Sequence, residues 1–212
     1  MSQELIEKIK NFLSINDFSG AKKLLDSIKN EDNQLILYYK GFTNHKLGKN
    51  KEAIENLKKI KTEIPEVFFL MSNILEDLSK ELDAIKFLEK AISLKSKYWQ
   101  AFFNLGRIYL KINELKKSKE FFKEVLKIDP NNTNAIYYLG VLYVKKKDLV
   151  KAQKQFKKTL SIDPNHEKSH TALSEILLGT GNLKSGWEEY MWKFNYLEKV
   201  YPENIKKIPM WD

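Results

Sequence analysis

Apolar side chains return along this chain every three or four residues, the spacing that lines them up on one face of an α-helix. Leu5, Ile9 and Phe12 form one such stripe. Asn16-Asp17-Phe18 interrupts it, and Ala21, Leu25 and Ile28 form a second. The paired pattern then recurs: Leu37 and Gly41 before Ala53, Leu57 and Ile60; Phe68, Met71 and Leu75 before Ala84, Leu88 and Ala91. Further on the spacing becomes regular. Phe102, Leu105, Gly106, Tyr109, Ser118, Phe122 and Pro130 are answered 34 residues later by Ile136, Leu139, Gly140, Tyr143, Ala152, Phe156 and Pro164. A fixed period of this size marks a solenoid, in which each unit buries its apolar face by stacking on a neighbour. Six helix pairs are expected, over 2–33, 34–64, 65–98, 99–132, 133–166 and 167–199, together forming one body from 2 to 199. Turns between paired helices are expected near 16, 48, 79–80, 113, 147 and 181. Four of these sites hold Gly or Asn, the residues that best accept the left-handed conformation ending a helix. Small residues early in the second helices (Ala21, Ala53, Ala84, Ser118, Ala152, Gly186) and Gly41, Gly106 and Gly140 on the first should let paired backbones approach closely.

An aromatic, Leu-Gly, Tyr, a small residue, a second aromatic and a late Pro in tandem resemble the tetratricopeptide repeat (TPR). The resemblance implies an all-α, right-handed α-solenoid of about six helix-turn-helix units. It also implies a scaffold without catalytic residues that takes a peptide or partner protein in the concave groove lined by the first helices. In register, the groove candidates are Tyr38, Phe69, Phe103 and Tyr137, with Phe42, Asn73, Arg107 and Val141 one turn on; Gln100, Asn104 and Asn134 add amides able to pair with a peptide backbone. The Lys/Asn carboxylate clamp of chaperone-binding TPR domains is not recognisable, since its sites carry Ile6, Lys10, Tyr39, Glu66 and Leu70.

The last helix departs from the pattern. In SGWEEYMWKFNYLEKV, Trp187, Tyr190, Met191 and Phe194 lie on one stripe, while Trp192 and Tyr196 fall outside it. An end repeat should turn a polar face outward. This one is apolar on more than one side, so the sequence predicts a cover: the tail, a second copy meeting there as a homo-oligomer, or a further domain. Pro202 and Pro209 make residues 200–212 an extended tail, with Trp211 as the natural anchor. Gly186-Trp187-Glu188-Glu189-Tyr190-Met191-Trp192-Lys193 with Pro209-Met210-Trp211-Asp212 also resembles the junction where bacterial TPR arrays pass into a glycosyltransferase-like domain. Met191 and Lys193 stand where that junction has Glu and Arg. This implies an alternative role as the recruiting region of a larger glycosyltransferase, and transfers no catalytic residue.

Composition adds little to this and removes some possibilities. There is no cysteine, which excludes disulfides and thiolate metal sites. No stretch approaches the roughly 18 apolar residues of a membrane span, and the opening MSQELIEKIKNFL lacks the apolar run of a signal peptide. A cytoplasmic protein without membrane contact is therefore expected. The net charge of +9 sits on solvated faces such as KAQKQFKK, and such stripes carry no base readout, so nucleic acid is disfavoured. His166-Glu167-Lys168-Ser169-His170 spells a zinc-protease helix. The repeat register argues against it: His166 precedes the helix, and His170 takes the packing position of Phe102 and Ile136. Asp129 and Asp163 precede prolines and read as turn groups. No metal, cofactor or catalytic residue is expected.

Overall fold

A computed structural model describes residues 3–28, 33–192 and 194 of the chain. Among them are twelve α-helices and no strand: α1 (Gln3–Ser14), α2 (Phe18–Asp26), α3 (Gln34–Lys46), α4 (Asn50–Lys58), α5 (Pro65–Asp77), α6 (Glu81–Leu94), α7 (Trp99–Lys111), α8 (Leu115–Ile128), α9 (Thr133–Lys145), α10 (Leu149–Ile162), α11 (Glu167–Gly179) and α12 (Leu183–Tyr190). They fall into two compact units, residues 1–108 and 109–212.

One device joins the two helices of every pair. Asn16, Gly48, Ser79, Asn113, Lys147 and Gly181 all have positive φ, between 55° and 82°. The next residue then returns its N–H to the carbonyl five positions back: Asp17 to Phe12 at 2.9 Å, Lys80 to Leu75 at 2.8 Å, Asp148 to Tyr143 at 2.9 Å. This is the left-handed C-terminal cap that satisfies the last helical carbonyls. Ser79 and Lys147 adopt it without Gly or Asn, so position in the repeat overrides local preference there.

Helix starts are capped by side chains that the sequence supplies locally. Asp17 accepts from Gly20 N (2.8 Å), Asn132 from Ala135 N (3.0 Å) and Asp148 from Lys151 N (3.1 Å). Pro65 occupies the first turn of α5, where its missing N–H costs nothing. The prolyl-preceding aspartates are turn groups: Asp129 accepts from Asn131 N and from the Asn132 amide, and Asp163 from Asn165 N.

Each unit shows the same packing between successive pairs. In the first, Ala53 and Leu57 of α4 receive Val67, Leu70, Met71 and Ile74 of α5, with Tyr38 and Phe42 of α3 on the flank. In the second, Ala152 and Phe156 of α10 receive Leu173, Ile176 and Leu177 of α11, with Tyr137 and Val141 of α9 on the flank. The small residues mark the tight crossings. A β-carbon on Gly41 would lie 2.6 Å from Leu57 Cδ2, one on Gly140 2.5 Å from Phe156 Cε1, and one on Gly186 2.7 Å from Leu178 Cδ2.

Candidate partner-binding face

The first helices of the pairs (α1, α3, α5, α7, α9, α11) present the side chains that the second helices leave uncovered. In the first unit, Tyr38 of α3 stands half-buried between two hollows of about 370 Å³ each. One lies towards α1, against Lys10, Leu13, Tyr39 and Phe42. The other lies towards α5, against Leu35, Ile64, Glu66 and Val67. Leu35 is 39% exposed, so its side chain is open to solvent beside this hollow. Burial, then the Glu66 carboxylate and Tyr39, raises the Tyr38 pKa above the ordinary phenol value. Tyr98 is pushed up to about 12 by burial first, with Glu66 and Tyr38 adding to it. Both phenols therefore keep their protons at neutral pH and can donate hydrogen bonds. Glu66 is held low by the hydrogen bond from Lys95 Nζ, at 2.9 Å.

The groove candidates do not all share one environment. Phe69 is half-buried and packs on Tyr98, ring centroids 5.2 Å apart; Tyr137 packs on His166 at 5.1 Å and on Phe156 at 5.6 Å. The same geometry recurs because the ring of a first helix meets the residue 29 positions on, just ahead of the next first helix. Asn104 is only 9% exposed, and its amide donates to Asn73 Oδ1 at 2.8 Å. Arg107 pairs with Glu76 at 2.9 Å. These three polar candidates thus hold α5 and α7 together, and only their remaining donors and acceptors can meet a ligand. Gln100 and Phe103 are half-buried on α7. In the second unit Asn134 is exposed, with Tyr137 and Val141 half-buried beside it. Sequence register found Tyr38 and Phe42 but missed Leu35, Leu13 and Ile64, which complete the hollows. Leu35 lies one turn before Tyr38 on the same face, and that spacing was the available signal.

At the other end of the chain, the aromatic residues divide between two sides of α12 and its end. Trp187 and Tyr190 meet edge to face at 5.3 Å and stay 54% and 62% exposed, whereas Trp192, expected off the stripe, stacks on His170 at 4.1 Å. Gly186 lies close against Leu178 of α11. Tyr196, Trp211 and the tail 200–212 lie outside the described residues. The zinc-like motif is taken apart by capping. His166 Nδ1 accepts from Ser169 N at 3.2 Å and caps α11, and burial lowers its pKa. His170 was expected as a core packing residue. Its side chain is 11% exposed and its nitrogens meet acceptors, Glu189 Oε2 at 2.5 Å and Pro164 O at 3.0 Å, a polar setting for an apolar position. Among the described residues, no group of three His, Cys, Asp or Glu is placed to hold a metal, and no helix is long and apolar enough to cross a membrane.

Comparison with known proteins agrees with this architecture. One tetratricopeptide-repeat family model matches residues 65–98 and 100–132, and a second such model matches 118–176, together just over half of the 212 residues. Comparison with curated protein sequences gives no match. Among solved structures, the chain is similar to PilW, a widely conserved type IV pilus biogenesis factor (TM-score 0.80, 18% identity, 97% of this chain and 98% of that one). It is similar to MamA (0.66, 27%, 76% and 96%) and to YrrB, a TPR protein with an unusual peptide-binding site (0.64, 22%, 80% and 90%). The six-fold turn, the paired helices and the matched repeats place this chain in the tetratricopeptide repeat family.

Proposed function

We propose that this chain is a protein-interaction scaffold whose first-helix face takes an extended peptide, seated across Tyr38 with one large apolar side chain on either side. The carrying observation is the pair of hollows sharing the Tyr38 ring. Each lies within the roughly 300–1,000 Å³ of ordinary ligand sites, and each is walled by apolar side chains with few polar groups. Phenol donors and the Glu66–Lys95 pair at the rim provide orientation. Half-buried aromatic anchors with polar neighbours are what recognition of a partly apolar segment requires. Gln100 and Phe103 add half-buried groups on α7 of the same unit, and in the second unit Asn134, Tyr137 and Val141 occupy the corresponding positions of α9. The peptide-binding site of YrrB supports the reading, since it occurs on the same fold. The reading assigns this face a recruiting role.

The test is selection from a random dodecapeptide library on the full chain, with counter-selection on Leu35→Glu. Leu35 is exposed enough for that change to leave the fold intact. The expected binders carry two large apolar residues and lose affinity on Leu35→Glu and on Tyr38→Ala. Binders that hold both variants as well as the parent would remove the face from consideration.

A further inference from the structure

The three positions that receive each following repeat recur once more on α11 and α12. Ala53, Leu57 and Tyr38 receive α5; Ala152, Phe156 and Tyr137 receive α11. One period on, the same register holds Gly186, Tyr190 and Thr171. Leu57 is 2% exposed and Phe156 0%, whereas Tyr190 is 62% exposed, with Met191 at 38% beside it. A cavity of about 390 Å³ opens there, floored by the His170–Trp192 stack and walled by Thr171, Tyr190 and Phe194.

We propose that this cavity is the docking site of an amphipathic helix from a partner protein, entering as a seventh first helix. The helix it fits is defined by those already bound in register. Val67, Ala135 and Ser169 give a small or β-branched residue at the crossing; Met71, Leu139 and Leu173 a large one four positions on; Ile74, Leu142 and Ile176 another three later. Residues 167–192 carry four glutamates and two lysines in a chain of net charge +9, so a basic flank on the incoming helix suits the site. Two other occupants fit poorly. The outer face of α1 in register is Glu4, Glu7, Lys8 and Asn11, all exposed, with Lys8 paired to Glu4 at 2.7 Å; a second copy stacking head to tail would set that polar face on Tyr190. The chain's own next residues would put Glu203 at the crossing, Lys207 at the large apolar position and Pro209 inside the helix, where its ring clashes with the preceding turn and its missing N–H breaks a helical hydrogen bond.

The probe is a fluorescein-labelled synthetic peptide copying residues 165–180 with Glu167→Lys and Glu175→Lys, titrated by anisotropy against the full-length protein. Saturable one-to-one binding is expected, weakened at least about tenfold by Tyr190→Lys in the protein and by Leu173→Asp in the peptide. An unchanged urea melt of the exposed-site variant Tyr190→Lys shows that the fold is kept. Absence of binding, or equal binding by either variant, overturns the proposal. So does a parent dimer that Tyr190→Lys dissociates, which assigns the site to a second copy. A tenfold gain in peptide affinity on Trp211→Ala overturns it too, assigning the site to the chain's own tail.

Discussion

Gly140→Ala is the sharpest test of how tightly the repeats are built. A β-carbon there would lie 2.5 Å from Phe156 Cε1, 2.8 Å from Cδ1 and 2.9 Å from Cζ. Carbon atoms in contact sit roughly 3.5–4.0 Å apart, so the ring must retreat by about 1 Å. It has little room to do so. Phe156 is fully buried, tilted against Tyr137 at 5.6 Å, and in the cluster with Leu173, Ile176 and Leu177. Overpacking of this kind costs about 1–3 kcal/mol. Against it stands the helix-propensity gain of Ala over Gly, about 1 kcal/mol. The net expectation is a loss of about 1 kcal/mol, deepening in Gly140→Leu, which carries more carbons into the same ring. Gly179→Ala is the control, because a β-carbon at that helical glycine meets nothing within 4 Å. There the propensity term acts without opposition, and stability should rise. The assay is urea unfolding followed by circular dichroism, reading the midpoints at constant slope. If Gly140→Ala is as stable as Gly179→Ala, the close approach of α9 and α10 is not what the glycine serves.

Lys147 holds φ +58° with an exposed side chain, so Lys147→Gly should stabilise by about 1 kcal/mol by relieving the left-handed penalty; a lower urea midpoint would contradict this. His166 caps α11 through an unprotonated Nδ1, and burial lowers its pKa in the folded chain below the free-histidine value of about 6.5. The unfolded chain then binds the proton first, so this contribution is present above about pH 6.5 and is lost as the pH falls below it. His166→Asn, which places at this cap the residue found at Asn33 and Asn132, should flatten that acid-side loss; a melting curve series from pH 7.5 to 5 that keeps its slope would refute the assignment.

The helix pairs and their turns were legible because they rest on local chemistry that the chain repeats. Apolar spacing sets each helix face, and the turn sites 16, 48, 79, 113, 147 and 181 recur whether the residue there is Gly, Asn, Ser or Lys. Gly140 could be assigned to a crossing because its period aligned it with Gly106 and set it opposite a large second-helix residue. What register cannot state is which polar groups on a shared face spend their bonds on each other. Asn73 and Asn104 lie 31 residues apart, as do Glu76 and Arg107, and only the approach of α5 to α7 turns these candidate ligand contacts into links between helices. The hollows beside Tyr38 have the same origin: they are spaces between neighbouring first helices, bounded by Leu13, Leu35 and Ile64 from three separate stretches of chain. At α12 the sequence determined that the helix is apolar on more than one side. The tertiary structure decided which side is used: the His170 ring of α11 receives Trp192, while Trp187 and Tyr190 face outward.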